Sequence, residues 1–112
     1  MIPKDLSVDN ISKIYKKIRP FINQTPFLKC PDDIDNYFST NLFFKCEFLQ
    51  KSGSFKARGA INNIISQDQN KFNKGITAVS AGNHAIAASF VANQFKLKNK
   101  ICLLYTSDAA DE

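Results

Sequence analysis

A chain of 112 residues, 44% of them hydrophobic, can bury one small core and no more. Its 15 Lys and Arg against 10 Asp and Glu give a net charge of +5, which suits an anionic partner without choosing among nucleic acid, membrane headgroups and phosphorylated small molecules. Cys30, Cys46 and Cys102 have neither metal-ligand spacing nor the density of a disulfide scaffold, so a reducing, cytoplasmic setting is expected; no apolar run approaches the roughly 18 residues of a membrane span.

Ser7 is placed to cap a helix from Val8 to Ile18, with Val8, Ile11, Ile14, Tyr15 and Ile18 on one face and Lys13, Lys16 and Lys17 on the other. Pro20 ends that helix or bends its last turn. A short extended stretch follows from Gln24 to Leu28, and Pro-Asp-Asp opens a turn or helix start at Pro31. Leu42 to Phe48, rich in Leu and Phe with Lys45 and Glu47 at alternate places, predicts a strand partly covered on both faces.

Chemistry first becomes visible in QKSGSFKARGA, where Gly53 and two serines make a turn that delivers Lys56 at or near the start of a helix over Ala57 to Ile65. The helix dipole, the neighbouring Arg58 and any burial behind Phe55 would all disfavour an ammonium there, and a neutral amine attacks an aldehyde. Taken alone, the segment also fits a surface lysine on an ordinary strand-to-helix turn. A Walker phosphate loop fits poorly, because no glycine immediately precedes the lysine and Ala57 stands where Ser or Thr should follow.

Ile76 to Val79 predicts a short strand, and SAGNHAIAASFVANQF a turn made sharp by Gly82 and then a helix from about Asn83 to Phe95. The first turn of that helix offers unpaired amides beside Ser80, Asn83 and His84, suited to a carboxylate or a phenolate oxygen. A lone histidine is more often structural than catalytic, and no Cys, His or acidic cluster accompanies His84 to suggest a metal. Alanines at 85, 87, 88 and 92 point to a helix packed closely on a sheet.

Together, LFFKCEFLQKSGSFKARGA (Leu42 to Ala60) and SAGNHA (Ser80 to Ala85) resemble the two opening motifs of the type II pyridoxal-phosphate enzymes, with the nearest likeness to serine and threonine dehydratases and serine racemases. The resemblance implies an α/β chain, the N-terminal fragment of a two-domain fold with mainly parallel sheets flanked by helices. Residues 1–68 would begin the large cofactor-binding domain and 75–101 the small domain. It implies pyridoxal 5'-phosphate as cofactor, held covalently by Lys56, with Phe55 beside its ring and Asn83 at its phenolic oxygen. Ser80, Gly82, Asn83 and His84 would receive the substrate carboxylate.

The same likeness implies an L-threonine or L-serine ammonia-lyase giving an oxoacid and ammonia, in a homo-oligomeric whole enzyme with an amino-acid substrate and no nucleic-acid or membrane partner. In the racemases a second serine of the 80–85 turn returns a proton from the opposite face; Ala81 stands there and cannot, which favours elimination. Cysteine synthases usually carry threonine where His84 stands; threonine synthase and diaminopropionate lyases stay open. The family's glycine-rich phosphate loop has no counterpart among the four glycines, at 53, 59, 75 and 82.

The closing residues, Cys102 to Glu112, read as the translation of a transposase adapter from DNA library preparation, so the natural sequence is expected to end near Ile101. The alternative at this end is a genuine strand from Lys100 to Tyr105 and an acidic loop. A fragment of this kind is expected to be poorly folded and inactive alone. The competing reading from another class is a small basic nucleic-acid-binding module, which the phenylalanines do not support because they fail to interleave with Lys or Arg in a recognisable pattern.

Overall fold

Ser7 starts the first helix as its place before an amphipathic run predicts. In a computed structural model describing residues 6–103, its Oγ accepts a hydrogen bond from the Asn10 N–H at 3.2 Å, and α1 spans Val8–Ile18. A single 3-10 turn containing Pro20 follows over Arg19–Phe21. Only Ile18 of the anticipated apolar face is buried, with Ile14 partly so, while Val8, Ile11 and Tyr15 are exposed. The periodicity gave the helix correctly, but α1 meets the core only through its last turn and a half.

β1 (Phe27–Lys29) and β2 (Phe43–Lys45) pair antiparallel, with Phe27 opposite Lys45 and Lys29 opposite Phe43. Between them lies α2 (Asp32–Phe38), which Ser39 closes in the left-handed conformation at φ 50°. The Asp35 carboxylate accepts the Leu42 N–H at 2.9 Å and so fixes the return into β2. The predicted strand from Leu42 to Phe48 stops at Lys45, and Glu47–Leu49 forms a 3-10 turn instead. Nor is the strand covered. Phe43 and Phe44 are exposed on opposite faces because no second layer among the described residues packs on this two-stranded sheet.

The second half of the chain is a β-α-β unit. β3 (Ile76–Val79) and β4 (Asn99–Cys102) are parallel, with Ile76 opposite Asn99 and Val79 opposite Cys102, and α4 (Asn83–Gln94) makes the crossover. β4 overlaps the strand considered for Lys100 to Tyr105; residues 104–112, and so most of the adapter reading, lie outside the described residues. Gly75 enters β3 at φ +88°, and a Cβ there would run into the Lys98 carbonyl, whose oxygen accepts the Ile76 N–H at 2.8 Å. Glycine is therefore required at 75 by both conformation and space.

α3 (Lys56–Ile65) joins the two halves. Ile61 and Ile64 of α3 meet Ile18 of α1 and Val91 of α4, with Phe21, Phe72, Phe90, Phe95 and Leu97 around them. The four alanines of α4 are buried as anticipated, against α3 as well as against β3 and β4. Small side chains let the helices approach closely. The radius of gyration, 17.7 Å, exceeds the roughly 13 Å of a compact domain of this length, in keeping with one small core and two thin sheets.

Candidate active site

Lys56 is the first residue of α3, and a tightly bonded turn brings it there. Gly53, at φ +71°, donates its N–H to the Gln50 carbonyl at 2.7 Å. The turn buries its polar members, Gln50, Ser52 and Ser54, and exposes Phe48, Leu49 and Phe55. Hydrogen bonds explain the inversion: Gln50 Oε1 accepts from the Asn23 N–H at 2.7 Å, and its Nε2 donates to the Asn23 carbonyl at 3.0 Å. Asn23 Nδ2 in turn donates to the Leu49 carbonyl at 3.1 Å. Buried polar groups satisfied in this way fix the loop rather than destabilise it.

A second set of bonds lies below it. Arg58 donates through Nε to Glu47 Oε2 at 2.8 Å and through Nη2 to Glu47 Oε1 at 2.7 Å, a fork across two oxygens. Thr25 Oγ1 donates to Glu47 Oε1 at 2.6 Å, and the Lys45 ammonium donates to the Thr25 carbonyl at 2.7 Å. The bonds from Arg58 lead in holding the Glu47 carboxyl down at about 2, against partial burial that opposes them.

Two expectations for Lys56 are corrected here. It is exposed rather than buried behind Phe55, itself 57% exposed, and its ammonium lies 5.2 Å from the centre of that ring. Nor is Arg58 a free neighbouring charge, since its guanidinium is matched by Glu47. Among the described residues Lys56 has no carboxylate partner, which leaves its amine open to a ligand.

The second motif forms the turn between β3 and α4. Ser80 donates its N–H to the Cys102 carbonyl at 3.1 Å, and its Oγ accepts the Gly82 N–H at 3.2 Å. The turn does not need glycine's freedom: Gly82 sits in extended backbone at φ −132°, and a Cβ there would meet nothing within 4 Å. The amides of Ala85 and Ile86 bond back to the Gly82 carbonyl, leaving those of Asn83 and His84 without a partner among the described residues. No side chain caps this helix start, so its positive end faces outward.

His84 also lines a cleft of about 420 Å³ between α3, β3 and α4, with Ala60, Asn63, Gln67 and Lys71. Lys56, Ser80, Gly82 and Asn83 do not line it. The packing of α3 on α4 puts the two motifs on one body, yet among the described residues no hydrogen bond or ion pair joins them. Sequence reasoning missed Glu47, Thr25 and Gln50. The available signal was an acidic residue in an apolar run with one arginine eleven positions later.

An exposed amine without a carboxylate partner, a flat ring beside it and an open helix start suit an aldehyde-bearing aromatic anion. That chemistry agrees with comparison to known proteins: residues 18–111 match the pyridoxal-phosphate dependent enzyme family. The chain belongs to this family, whose cofactor is pyridoxal 5'-phosphate. It is 42% identical to serine racemase of Arabidopsis thaliana over 83 residues, 74% of this chain and 25% of that one. It is 34% identical to phenylserine dehydratase of Ralstonia pickettii over 106 residues, 95% and 32% of the two chains. The structure of maize serine racemase superposes with a TM-score of 0.79 at 35% identity, covering 91% of this chain and 32% of that one. The chain therefore spans a third or less of the length of each, within a group that includes both racemases and dehydratases. No helix among the described residues is long and apolar enough to cross a membrane.

Proposed function

We propose that this chain is the N-terminal part of a dehydratase that converts L-threonine or L-serine to an oxoacid and ammonia, with Lys56 holding the cofactor. Residues 1–68 begin its large domain and 75–101 its small one. The cofactor, when bound, supplies an electron sink for the pair left behind when a bond at the substrate α-carbon breaks.

Lys56 would hold the cofactor through its amine and would also serve as the base that takes the substrate α-proton. Phe55, which is exposed, would lie beside the cofactor ring. Asn83 would donate to the cofactor's phenolic oxygen, and the open amides of Asn83 and His84, with Ser80 and Gly82 shaping the turn, would receive the substrate carboxylate. Loss of the β-hydroxyl as water, and addition of water to the released imino acid, would give the oxoacid and ammonia and complete the balance.

The observation that carries elimination over racemisation is Ala81. It is exposed in the turn between β3 and α4, and a methyl group can neither give nor take a proton. The neighbouring Ser80 hydroxyl accepts from the Gly82 amide. Similarity to serine racemases from several organisms favours the second reading, racemisation. The uninterrupted gene product, loaded with pyridoxal phosphate and given L-serine, decides between them. Pyruvate forming faster than D-serine supports the dehydratase; the reverse order overturns it.

A further inference from the structure

Eight residues of loop, 48–55, separate the end of the polar clasp at Glu47 from the lysine, and both ends of that loop are tied to the same carboxylate. At one end Glu47 opens the 3-10 turn after β2; at the other, Arg58 lies in the first turn of α3, two residues beyond Lys56. The fork between them closes the base of the loop, and Thr25 joins both partners, donating to Glu47 Oε1 at 2.6 Å and accepting from Arg58 Nη2 at 3.4 Å. Gln50 and Asn23 hold the loop's near limb. In the upper limb, Ser54 to Lys56, the Ser54 hydroxyl accepts the Lys56 N–H at 3.4 Å, the Ser54 carbonyl accepts the Ala57 N–H at 3.4 Å and the Phe55 carbonyl accepts the Arg58 N–H at 3.0 Å; none of these bonds is charge-assisted. The fork at Arg58 is thus the charge-assisted tie on the first turn of α3, beside the burial of Ala57 in the same turn.

From this geometry we propose that Glu47 is a positioning residue for Lys56: by gripping Arg58 in two bonds, and being gripped itself by Thr25, it fixes where the start of α3 delivers the lysine amine. The proposal rests on the reading of Lys56 as the cofactor-bearing residue. A monodentate or neutral partner at 47 would still fill the space but would hold the first turn of α3 less firmly, letting the Lys56 end shift while the buried face of the helix stays packed. Reaction at a carbonyl carbon is sensitive to such a change, because the amine must approach from above the carbonyl plane, at an obtuse angle to the C=O bond, and within van der Waals distance. Lys45 and Arg58 are the charged groups facing Glu47, and both are retained in the test.

The test uses the uninterrupted gene product, stripped of cofactor and mixed with pyridoxal phosphate. Borohydride added at successive times fixes any link between amine and aldehyde as a secondary amine, and peptide mapping counts how much of it is on Lys56. Glu47→Gln is expected to attach cofactor at Lys56 on the order of tenfold more slowly than the parent, with some label moved to other lysines. The pH midpoint of the bound cofactor's absorbance is expected to move as well, which a merely structural loss would not cause in molecules that remain folded. Thr25→Val, which keeps both charges and removes only the hydroxyl, is expected to show a smaller change of the same kind, and it carries the test if Glu47→Gln does not fold.

Parent-like attachment rate, site and pH midpoint in the folded variant overturn the positioning role. Failure of the parent itself to attach cofactor at Lys56 overturns the underlying reading instead, so the two failures are told apart.

Discussion

The two motif-bearing halves of the molecule are held by different forces. Around Lys56 the backbone is irregular, and side chains hold it: Gln50 to Asn23, and Glu47 to Thr25 and Arg58. Around Asn83 the side chains do little, and the backbone holds itself through the parallel ladder of β3 and β4 and the close fit of an alanine-rich α4. The turn that presents Lys56 is fixed by directional side-chain bonds, the Arg58–Glu47 fork among them. The start of α4 is fixed by secondary structure, with Asn83 and His84 exposed.

This difference predicts where each half breaks. Arg58→Ala should have the largest effect, destabilising the whole gene product by about 3–4 kcal/mol in denaturant titration, because it leaves Glu47, whose side chain is 18% exposed, without its main partner. An unchanged midpoint would mean that the fork adds nothing to holding the first half.

Acid should weaken the same half selectively. The folded-state value of Glu47, about 2, lies below the ordinary 4.5, so the unfolded chain binds more protons in that window. Its contribution, on the order of 2–3 kcal/mol, is complete above about 4.5 and is lost as pH falls toward about 2. Melting temperature followed across that range should show this loss in the parent and a flatter profile in Glu47→Gln.

The second half answers to backbone changes instead. Gly75→Ala should cost about 2 kcal/mol in thermal unfolding, since the new methyl meets the Lys98 carbonyl at a positive φ. Gly82→Ala should cost far less, since its backbone is extended and its surroundings are open. Equal effects at 75 and 82 would remove the distinction. The smallest change expected is Ser7→Ala, about 1 kcal/mol from the lost cap of α1, read in the same unfolding experiment.

Much of this was legible in the residues. Ser7 and the 3.6-residue spacing after it marked α1 to its ends, and the small-residue run after Gly82 marked α4. The two motifs stand where strand-turn-helix reasoning put them, with Lys56 at a helix start. The strand from Leu42 was overextended because an alternating pattern cannot show that Glu47 turns aside toward an arginine. Apolar character likewise could not tell that Phe44, Phe55 and Val8 would be exposed, since it records what a side chain can bury and not what is present to bury it. The clasp at Thr25 was illegible for a related reason: its partners lie 22 and 33 positions away, and only tertiary structure closes such distances.

The measurement that bears most directly on the account is the site of cofactor attachment. The uninterrupted gene product, incubated with pyridoxal phosphate, reduced with borohydride and digested, should yield one dominant modified peptide carrying the label on Lys56, and Lys56→Ala should abolish both that label and oxoacid release. Dominant label on another lysine, or a parent protein that takes up no cofactor, would contradict it.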